Sequence, residues 1–186
     1  TGWAKISAGG SQTLANAGNI SLAGGAGDAS GALVLATSGQ TFNSGGALTL
    51  TGGSGSAPGL NETAVRNSTS GTQSISMSGA ITVTGGGSGS DTWIRQSGSG
   101  AQNITTGGAL RLEALVANTG TVSIESGTGT QTVNVTDVIA LDNQAGGRVA
   151  LRSGGAQNIN ADSMTIALAS PNGTSPYAGV SAVGSQ

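Results

Sequence analysis

The chain has 186 residues, of which 35 are Gly, and it contains neither Cys nor His. This composition excludes a disulfide scaffold, thiol catalysis and histidine-based metal sites or catalytic triads. Six Lys and Arg against eight Asp and Glu give a formal net charge of −2, so the chain lacks the basic footprint of a nucleic-acid-binding protein. We therefore expect no nucleic-acid partner.

The N-terminal sequence Thr1-Gly2-Trp3 runs directly into repeat-like sequence, without the charged and apolar regions of a signal peptide. No apolar run approaches the ~18 residues that a membrane span needs. We expect no membrane span in this segment. We also expect the segment to be a fragment of a longer array.

A Gln residue recurs along the whole chain, with intervals of 28, 33, 29, 29, 26 and 29 residues that average 29. The positions are Gln12, Gln40, Gln73, Gln102, Gln131, Gln157 and Gln186. A fixed period between ~20 and 50 residues indicates a solenoid. The period predicts a single β-solenoid segment over residues 1–186. Its coils are expected near 12–39, 40–72, 73–101, 102–130, 131–156 and 157–185.

Three short apolar segments follow one another in the same order within each coil. The first lies two positions after the Gln, and the second is an alternating pair such as Leu110 and Leu112. The third precedes the next Gln, with anchors at Leu33/Leu35, Val65, Ile94, Val122/Ile124, Val149/Leu151 and Val180. Alternating, largely β-branched residues predict strands, and frequent Gly argues against helix. The expected fold is an all-β parallel β-helix with three strands of 3 to 5 residues per coil of about 29 residues.

The recurring Gln residues are predicted to serve a structural purpose at a corner of the coil. Identical amides stacked at strand spacing hydrogen-bond along the axis, as in the Asn and Gln ladders of cross-β structures. We expect such a ladder to include every Gln of the repeat, from Gln12 to Gln186. A role for these amides in ligand binding is the less favoured alternative.

Three segments carry a resemblance to a known family: Gly-Gly-Ala-Leu-Thr-Leu-Thr at 45–51, Ser-Gly-Ala-Ile-Thr-Val-Thr at 78–84 and Gly-Gly-Ala-Leu-Arg-Leu-Glu at 107–113. With its composition, the chain resembles the repeat region of filamentous-haemagglutinin-like proteins, the exoproteins of bacterial two-partner secretion. The resemblance implies a right-handed parallel β-helix that is extracellular or on the bacterial cell surface. It also implies a role in adhesion.

One aligned column of residues follows the third apolar anchors. It contains Ser7, Ala36, Arg66, Arg95, Glu125, Arg152 and Ser181. If four successive coils place Arg66, Arg95, Glu125 and Arg152 on one outward line, the line suits an acidic glycan or a partner's carboxylates, because Arg forks match planar anions. The alternative is a solvated ion-pair ladder that contributes little to stability.

Other polar residues carry weaker signals. Six Asn-x-Ser/Thr sequons occur, and Asn61 and Asn67 in the long loop are expected to be the most accessible glycosylation acceptors. Glu113 and Asp142 occupy equivalent positions in adjacent coils, with Arg111 on the same face. Such a carboxylate pair could hold Ca²⁺ or act as acid and base, but solvated charge is the favoured interpretation. We expect no catalytic residue, metal site or cofactor.

These observations favour a non-enzymatic role as a segment of a surface adhesin or its stalk, facing a host or matrix surface. The alternative is a structural subunit of an extracellular filament or sheath that self-associates through the strand edges of its end coils. A polysaccharide-acting enzyme ranks third, since the sequence has no dense cluster of Asp, Arg and Lys.

Overall fold

A computed structural model describes residues 2–55, 61–115, 120–144, 146–168 and 177–186. These residues form strands and turns, with no helix among them. The strands are β1 (Trp3–Ala8), β2 (Ser11–Asn16), β3 (Ile20–Ala23), β4 (Gly31–Ala36), β5 (Gly39–Ser44), β6 (Leu48–Thr51), β7 (Glu62–Asn67), β8 (Gln73–Met77), β9 (Ile81–Thr84), β10 (Asp91–Gln96), β11 (Gln102–Thr106), β12 (Leu110–Ala114), β13 (Thr121–Ser126), β14 (Gln131–Val135), β15 (Val138–Asn143), β16 (Arg148–Ser153), β17 (Gln157–Asn160), β18 (Ser163–Leu168) and β19 (Tyr177–Ala182).

The strands form three parallel sheets that the chain visits in turn. Sheet A has the order β1-β4-β7-β10-β13-β16-β19, sheet B has β17-β14-β11-β8-β5-β2, and sheet C has β18-β15-β12-β9-β6-β3. Each coil contributes one strand to each sheet, which makes a parallel β-solenoid of about 6 turns with roughly 29 residues per coil. The expected fold is confirmed. The strands have 4 to 6 residues, slightly more than the expected length.

The core is a narrow apolar column enclosed by the three sheets. Equivalent residues of successive coils pair in register, so Phe42 lies opposite Ile75 and Ile75 opposite Ile104. Both Phe42 and Ile104 are completely buried. Because each coil fills its share of the column with a few β-branched or Leu side chains, the chain needs few aromatic residues to form a core.

The expected orientation of one strand, β4, is wrong. Sequence alternation placed Leu33 and Leu35 in the core, but Ala32, Val34 and Ala36 are the buried side chains of this strand, and the two Leu side chains face outward. The outward column therefore contains Leu35 and not Ala36, since Ser7 pairs with Leu35 and Leu35 with Arg66. All residues from 32 to 36 are apolar, so alternation alone does not distinguish the two faces. The register with neighbouring strands decides the orientation.

Close contacts between successive coils explain part of the glycine content. A Cβ built on Gly107 would lie 2.4 Å from Ser78 O, and one on Gly154 would lie 2.5 Å from Gly127 O. At these corners the backbones approach too closely for any side chain. Within the described residues, the one glycine with a positive φ is Gly89, at 73°. Close approach therefore explains these corner glycines better than backbone conformation does.

The first and last coils leave inward-facing apolar residues uncovered. Ile6 in β1 is 56% exposed, and Ile166 and Leu168 in β18 are 47% and 53% exposed. Their counterparts in the middle coils, such as Ile94 and Leu141, are almost fully buried. Each end of the described stack therefore presents both apolar side chains and unpaired strand edges.

Candidate binding face

The three outer faces of the solenoid differ sharply in chemistry. Sheet B presents small neutral residues such as Thr41, Asn43 and Thr105. Sheet C carries Arg111, Glu113 and Asp142 among similar residues. The outward positions of sheet A hold five of the six cationic residues of the chain and its three aromatics outside the core: Lys5, Arg66, Arg95, Arg148, Arg152, Trp3, Trp93 and Tyr177.

We call the central part of this surface the charged face. It consists of Glu62, Arg66, Asp91, Trp93, Arg95, Glu125, Arg148, Arg152 and Tyr177. Strand residues two apart lie on the same side of a sheet, and equivalent residues of adjacent coils lie ~4.8 Å apart along the axis. Parallel stacking thereby brings together charges that are about 29 residues apart in sequence.

The four predicted column residues lie in one line on the charged face. Arg66 pairs with Arg95, Arg95 with Glu125, and Glu125 with Arg152. The Arg95 Nε atom lies 3.7 Å from Glu125 Oε2, and the two side chains are 38% and 14% exposed. Because the distance is long and the Arg95 side chain is exposed to solvent, we expect this ion pair to contribute at most about 1 kcal/mol to stability. This is the one ion pair within 4.0 Å among the described residues, and neither Arg66 nor Arg152 takes part in it.

Trp93 and Glu62 extend the column sideways across the face. The Arg95 guanidinium lies over the Trp93 ring, 5.0 Å from its centroid, while Trp93 Nε1 donates a hydrogen bond of 2.5 Å to Glu62 Oε1. A guanidinium over an indole is attracted by the negative face of the ring. The two contacts hold the Trp93 ring and the Arg95 side chain against the sheet.

A second Arg–aromatic pair lies further along the same face, where the Arg148 guanidinium is 4.9 Å from the centroid of the Tyr177 ring. Between the two pairs, Ser123 and Ala150 occupy outward positions of β13 and β16 and yet are completely buried. The floor of the face thus lies below the long side chains that flank it. Sequence reasoning missed Trp93, Arg148 and Tyr177. Trp93 lies two residues before Arg95, and Arg148 and Tyr177 lie four residues before Arg152 and Ser181. Strand alternation could therefore have placed all three on the same side of the sheet as the predicted column.

A recess lies at the corner where sheet A turns into sheet B, and we call it the corner cleft. Its volume is about 270 Å³. On the sheet side its lining includes Arg95, Glu125 and Arg152, and on the corner side Ser97, Gly127 and Thr128. Ser97 Oγ is buried and has no hydrogen-bond partner among the described residues. The cleft therefore combines cations, one carboxylate and hydroxyl groups.

The Gln residues of the repeat form a ladder of side-chain hydrogen bonds. Gln73 Nε2 donates to Gln40 Oε1 at 2.8 Å, Gln102 Nε2 to Gln73 Oε1 at 2.7 Å, and Gln131 Nε2 to Gln102 Oε1 at 2.6 Å. Gln40 and Gln157 donate in the same way to the Gln residues before them. Among the described residues, Gln186 forms no such bond, and Gln157 Oε1 is buried without a hydrogen-bond partner. The bonded ladder thus spans the Gln residues from 12 to 157.

The ladder also fixes the backbone that carries the charged column. Each of three Gln amides reaches the sheet A strand that completes its own coil: Gln73 donates to Arg95 O at 3.2 Å, Gln102 to Glu125 O at 3.0 Å, and Gln131 to Arg152 O at 3.2 Å. The column carbonyls are therefore tied to buried amides inside the coil. This anchoring restricts the movement of the strand beneath each charged side chain.

The two sequons expected to be most accessible are buried. Asn61 is 1% exposed and Asn67 is fully buried, and Asn67 lies at the end of β7 and not in the long loop. Asn61 Oδ1 accepts a hydrogen bond from Ser30 N at 3.1 Å, while Asn67 Nδ2 donates to Gly71 O at 2.7 Å. Both amides satisfy buried backbone groups at corners, where Asn is favoured. The expectation of accessibility was therefore wrong.

The carboxylate pair of sheet C is an isolated feature. Glu113 and Asp142 pair in register, and Asp142 Oδ2 accepts a hydrogen bond of 2.9 Å from Gln144 Nε2. The described part of the chain contains no group of three or more acidic, His or Cys residues able to hold a metal ion. Among the same residues, no helix is long and apolar enough to cross a membrane.

Comparisons with known proteins found no relative. The sequence matches no family model and no curated protein, and the structure matches no solved structure. The resemblance to filamentous-haemagglutinin-like repeats therefore stays a prediction. Together, the fold and the charged face define a β-solenoid that carries most of its charged and aromatic side chains on one of its three outer faces.

Proposed function

We propose that this chain is a non-enzymatic β-solenoid segment of a surface adhesin or its stalk, which presents the charged face to a host or matrix surface. The observation that carries the proposal is the segregation of side chains among the three outer faces. Charge and exposed aromatics concentrate on sheet A, while sheet B is neutral. The extracellular or cell-surface location rests on the family resemblance.

The physical properties of the stack support this role. Three parallel sheets and a buried amide ladder form a support of about six coils, which is roughly 29 Å long at ~4.8 Å per coil. Such a support has few ways to deform, since each coil packs on its neighbours through backbone and core together. Aromatic and Arg residues are the types most enriched in binding surfaces. The charged face offers both on a rigid base.

The non-enzymatic part of the proposal rests on the arrangement of the carboxylates. Glu125 lies between two Arg residues, and Glu62 accepts the hydrogen bond from Trp93. Glu113 and Asp142 lie on an open outer face with Arg111 nearby. Each of these carboxylates is engaged by a neighbouring cation or hydrogen-bond donor or lies on an open face, which is the arrangement of a solvated or binding surface.

An adhesion measurement tests the proposal. Beads coated with the chain are allowed to settle on surfaces of cells and matrix polymers, and the fraction that resists washing is counted. A variant with Arg66→Gln, Arg95→Gln and Arg152→Gln is expected to lose most of this retention. Arg152→Gln alone is expected to lose part of the retention, and its charge-matched control, Arg111→Gln on sheet C, is expected to keep it. Retention that is absent for the wild type, or lost equally in the control, would refute the proposal.

Longitudinal self-association into a filament is a second candidate function, and the exposed ends of the stack favour it. Ile6, Ile166 and Leu168 present apolar side chains beside unpaired strand edges. Parallel strand edges pair readily with further strands. Sedimentation velocity at rising concentration tests it: growth into rods longer than one chain would support a filament subunit, and a single monomeric species throughout would rule it out.

A further inference from the structure

The corner cleft has a composition that selects for a particular ligand chemistry. In its sheet-side wall Glu125 lies in register between Arg95 and Arg152, and the Arg95 Nε atom is 3.7 Å from Glu125 Oε2. Two cations attract an anionic group, while an ionised carboxylate accepts hydrogen bonds and repels other anions. A ligand that satisfies all three residues needs a negative charge and, beside it, hydrogen-bond donors.

We propose that the corner cleft binds one acidic monosaccharide unit of a polysaccharide, with its carboxylate on Arg152 and its ring hydroxyls donating to Glu125. A uronate has this combination, because its ring carries several hydroxyl groups, the nearest of them on the carbon next to the one that bears the carboxylate. The donor nearest an Asp or Glu carboxylate in a protein partner is a single backbone N–H, which a folded partner usually engages in its own hydrogen bonds, whereas a sugar ring carries several free hydroxyls. The presence of Glu125 therefore favours an acidic sugar over an acidic peptide.

The geometry of Arg152 suits the carboxylate. Its side chain is exposed, it forms no ion pair within the described residues, and its carbonyl is held by Gln131 Nε2 at 3.2 Å. Arg95 is partly engaged by Trp93 and by Glu125. Arg152 is thus the cation of the cleft that is free to form a bidentate contact, which is the strongest form of Arg–carboxylate bonding.

The size and the remaining lining of the cleft fit a single sugar ring. A volume of about 270 Å³ lies below the ~300–1,000 Å³ of pockets for drug-sized ligands. The hydroxyls of Ser97 and Thr128 and the backbone at Gly127 supply further polar contacts on the corner side. Because the cleft is open, neighbouring units of a polysaccharide can continue along the charged face in either direction.

This inference rests on the proposed function to the extent that both use the charged face, but its test is separate. The wild-type chain, labelled with ¹⁵N, is titrated with methyl β-D-glucuronide while the amide signals of Gly127 and Gly154 are followed by NMR. Methyl β-D-glucoside has the hydroxyls without the carboxylate, and cyclohexanecarboxylate has the carboxylate without the hydroxyls. Only the glucuronide is expected to shift both signals in a saturable manner.

Substitutions of the cleft residues show which side chains contact the glucuronide. Arg152→Gln is expected to weaken glucuronide binding about tenfold or more, and Arg152→Lys by less, because Lys keeps the charge without the planar fork. Glu125→Gln removes the repulsion of unhydroxylated acids, so cyclohexanecarboxylate is expected to bind this variant. Arg111→Gln removes one positive charge from another face and is expected to leave the titration unchanged.

Several results would overturn the inference. Equal binding of cyclohexanecarboxylate or of poly-L-glutamate to the wild type would show that the cleft recognises charge alone. An equal loss in Arg152→Gln and Arg111→Gln would show diffuse attraction without a site. Adhesion that depends on the Arg residues, together with no response to glucuronide, would overturn the acidic-sugar ligand and leave the proposed function intact.

Discussion

Gln102 is the residue at which the contribution of the amide ladder is measured most directly. Its side chain is completely buried. Its Nε2 atom donates to Gln73 Oε1 at 2.7 Å and to Glu125 O at 3.0 Å, and its Oε1 atom accepts from Gln131 Nε2 at 2.6 Å. The substitution Gln102→Met preserves the length of the side chain and removes every one of these bonds.

The expected loss of stability follows from those contacts. Three hydrogen bonds at about 1 kcal/mol each, together with about 1–2 kcal/mol for leaving Gln73 Oε1 buried without a donor, amount to a loss of roughly 4 kcal/mol. Gln12→Met is the matched control, because Gln12 lies in the first coil and takes part in one ladder bond, of 3.1 Å. Its expected cost is about 1 kcal/mol or less.

Equilibrium urea unfolding followed by far-ultraviolet circular dichroism measures both variants. The free energy of unfolding is obtained by linear extrapolation, and the slopes show whether the variants unfold in the same manner as the wild type. A difference of roughly 3 kcal/mol between the two variants would agree with the reasoning. Equal losses, or a loss below about 1 kcal/mol for Gln102→Met, would show that the buried ladder adds nothing beyond the packing of its methylene groups.

Two further comparisons of stability use the same assay. Gly71→Ala is expected to disrupt the stack, because its Cβ would lie 1.0 Å from Ser38 O, whereas Gly27→Ala is expected to be neutral since nothing lies within 4 Å of its Cβ; similar midpoints for both would contradict the corner packing. Ile104→Ala is expected to cost about 2–5 kcal/mol as a buried truncation. Ile6→Ala, at a residue 56% exposed, is expected to cost about 1 kcal/mol or less, and equal costs would contradict the placement of the core.

The sequence predicted the architecture well because the relevant signal is periodic and local. The Gln repeat and the alternating pairs, such as Leu110 and Leu112, recur at the coil spacing, and the structure places them in register. The alignment also placed Arg66, Arg95, Glu125 and Arg152 in one line. The predicted orientation was wrong at β4, because its consecutive apolar residues show no alternation that distinguishes the inner from the outer face.

The candidate site was only partly predictable. Its column was identified from spacing, but Trp93 was not assigned to the face, and neither were Arg148 and Tyr177. The sequence predicted that Asn61 and Asn67 are accessible loop residues, but both are buried and their amides form hydrogen bonds with backbone groups. Whether a polar side chain near a corner turns inward or outward depends on which backbone groups of the adjacent coil lack partners, and a single coil does not contain that information.

The sequence by itself determined the period, the strands and the amide ladder of this protein, because each depends on residues that recur at one spacing. Only the tertiary structure decided which outer face gathers the charges and where the corner cleft lies. Parallel stacking sets residues of equivalent position ~4.8 Å apart although about 29 residues separate them in the chain. The chemistry of the face arises from these neighbours in space, and so from the register between coils.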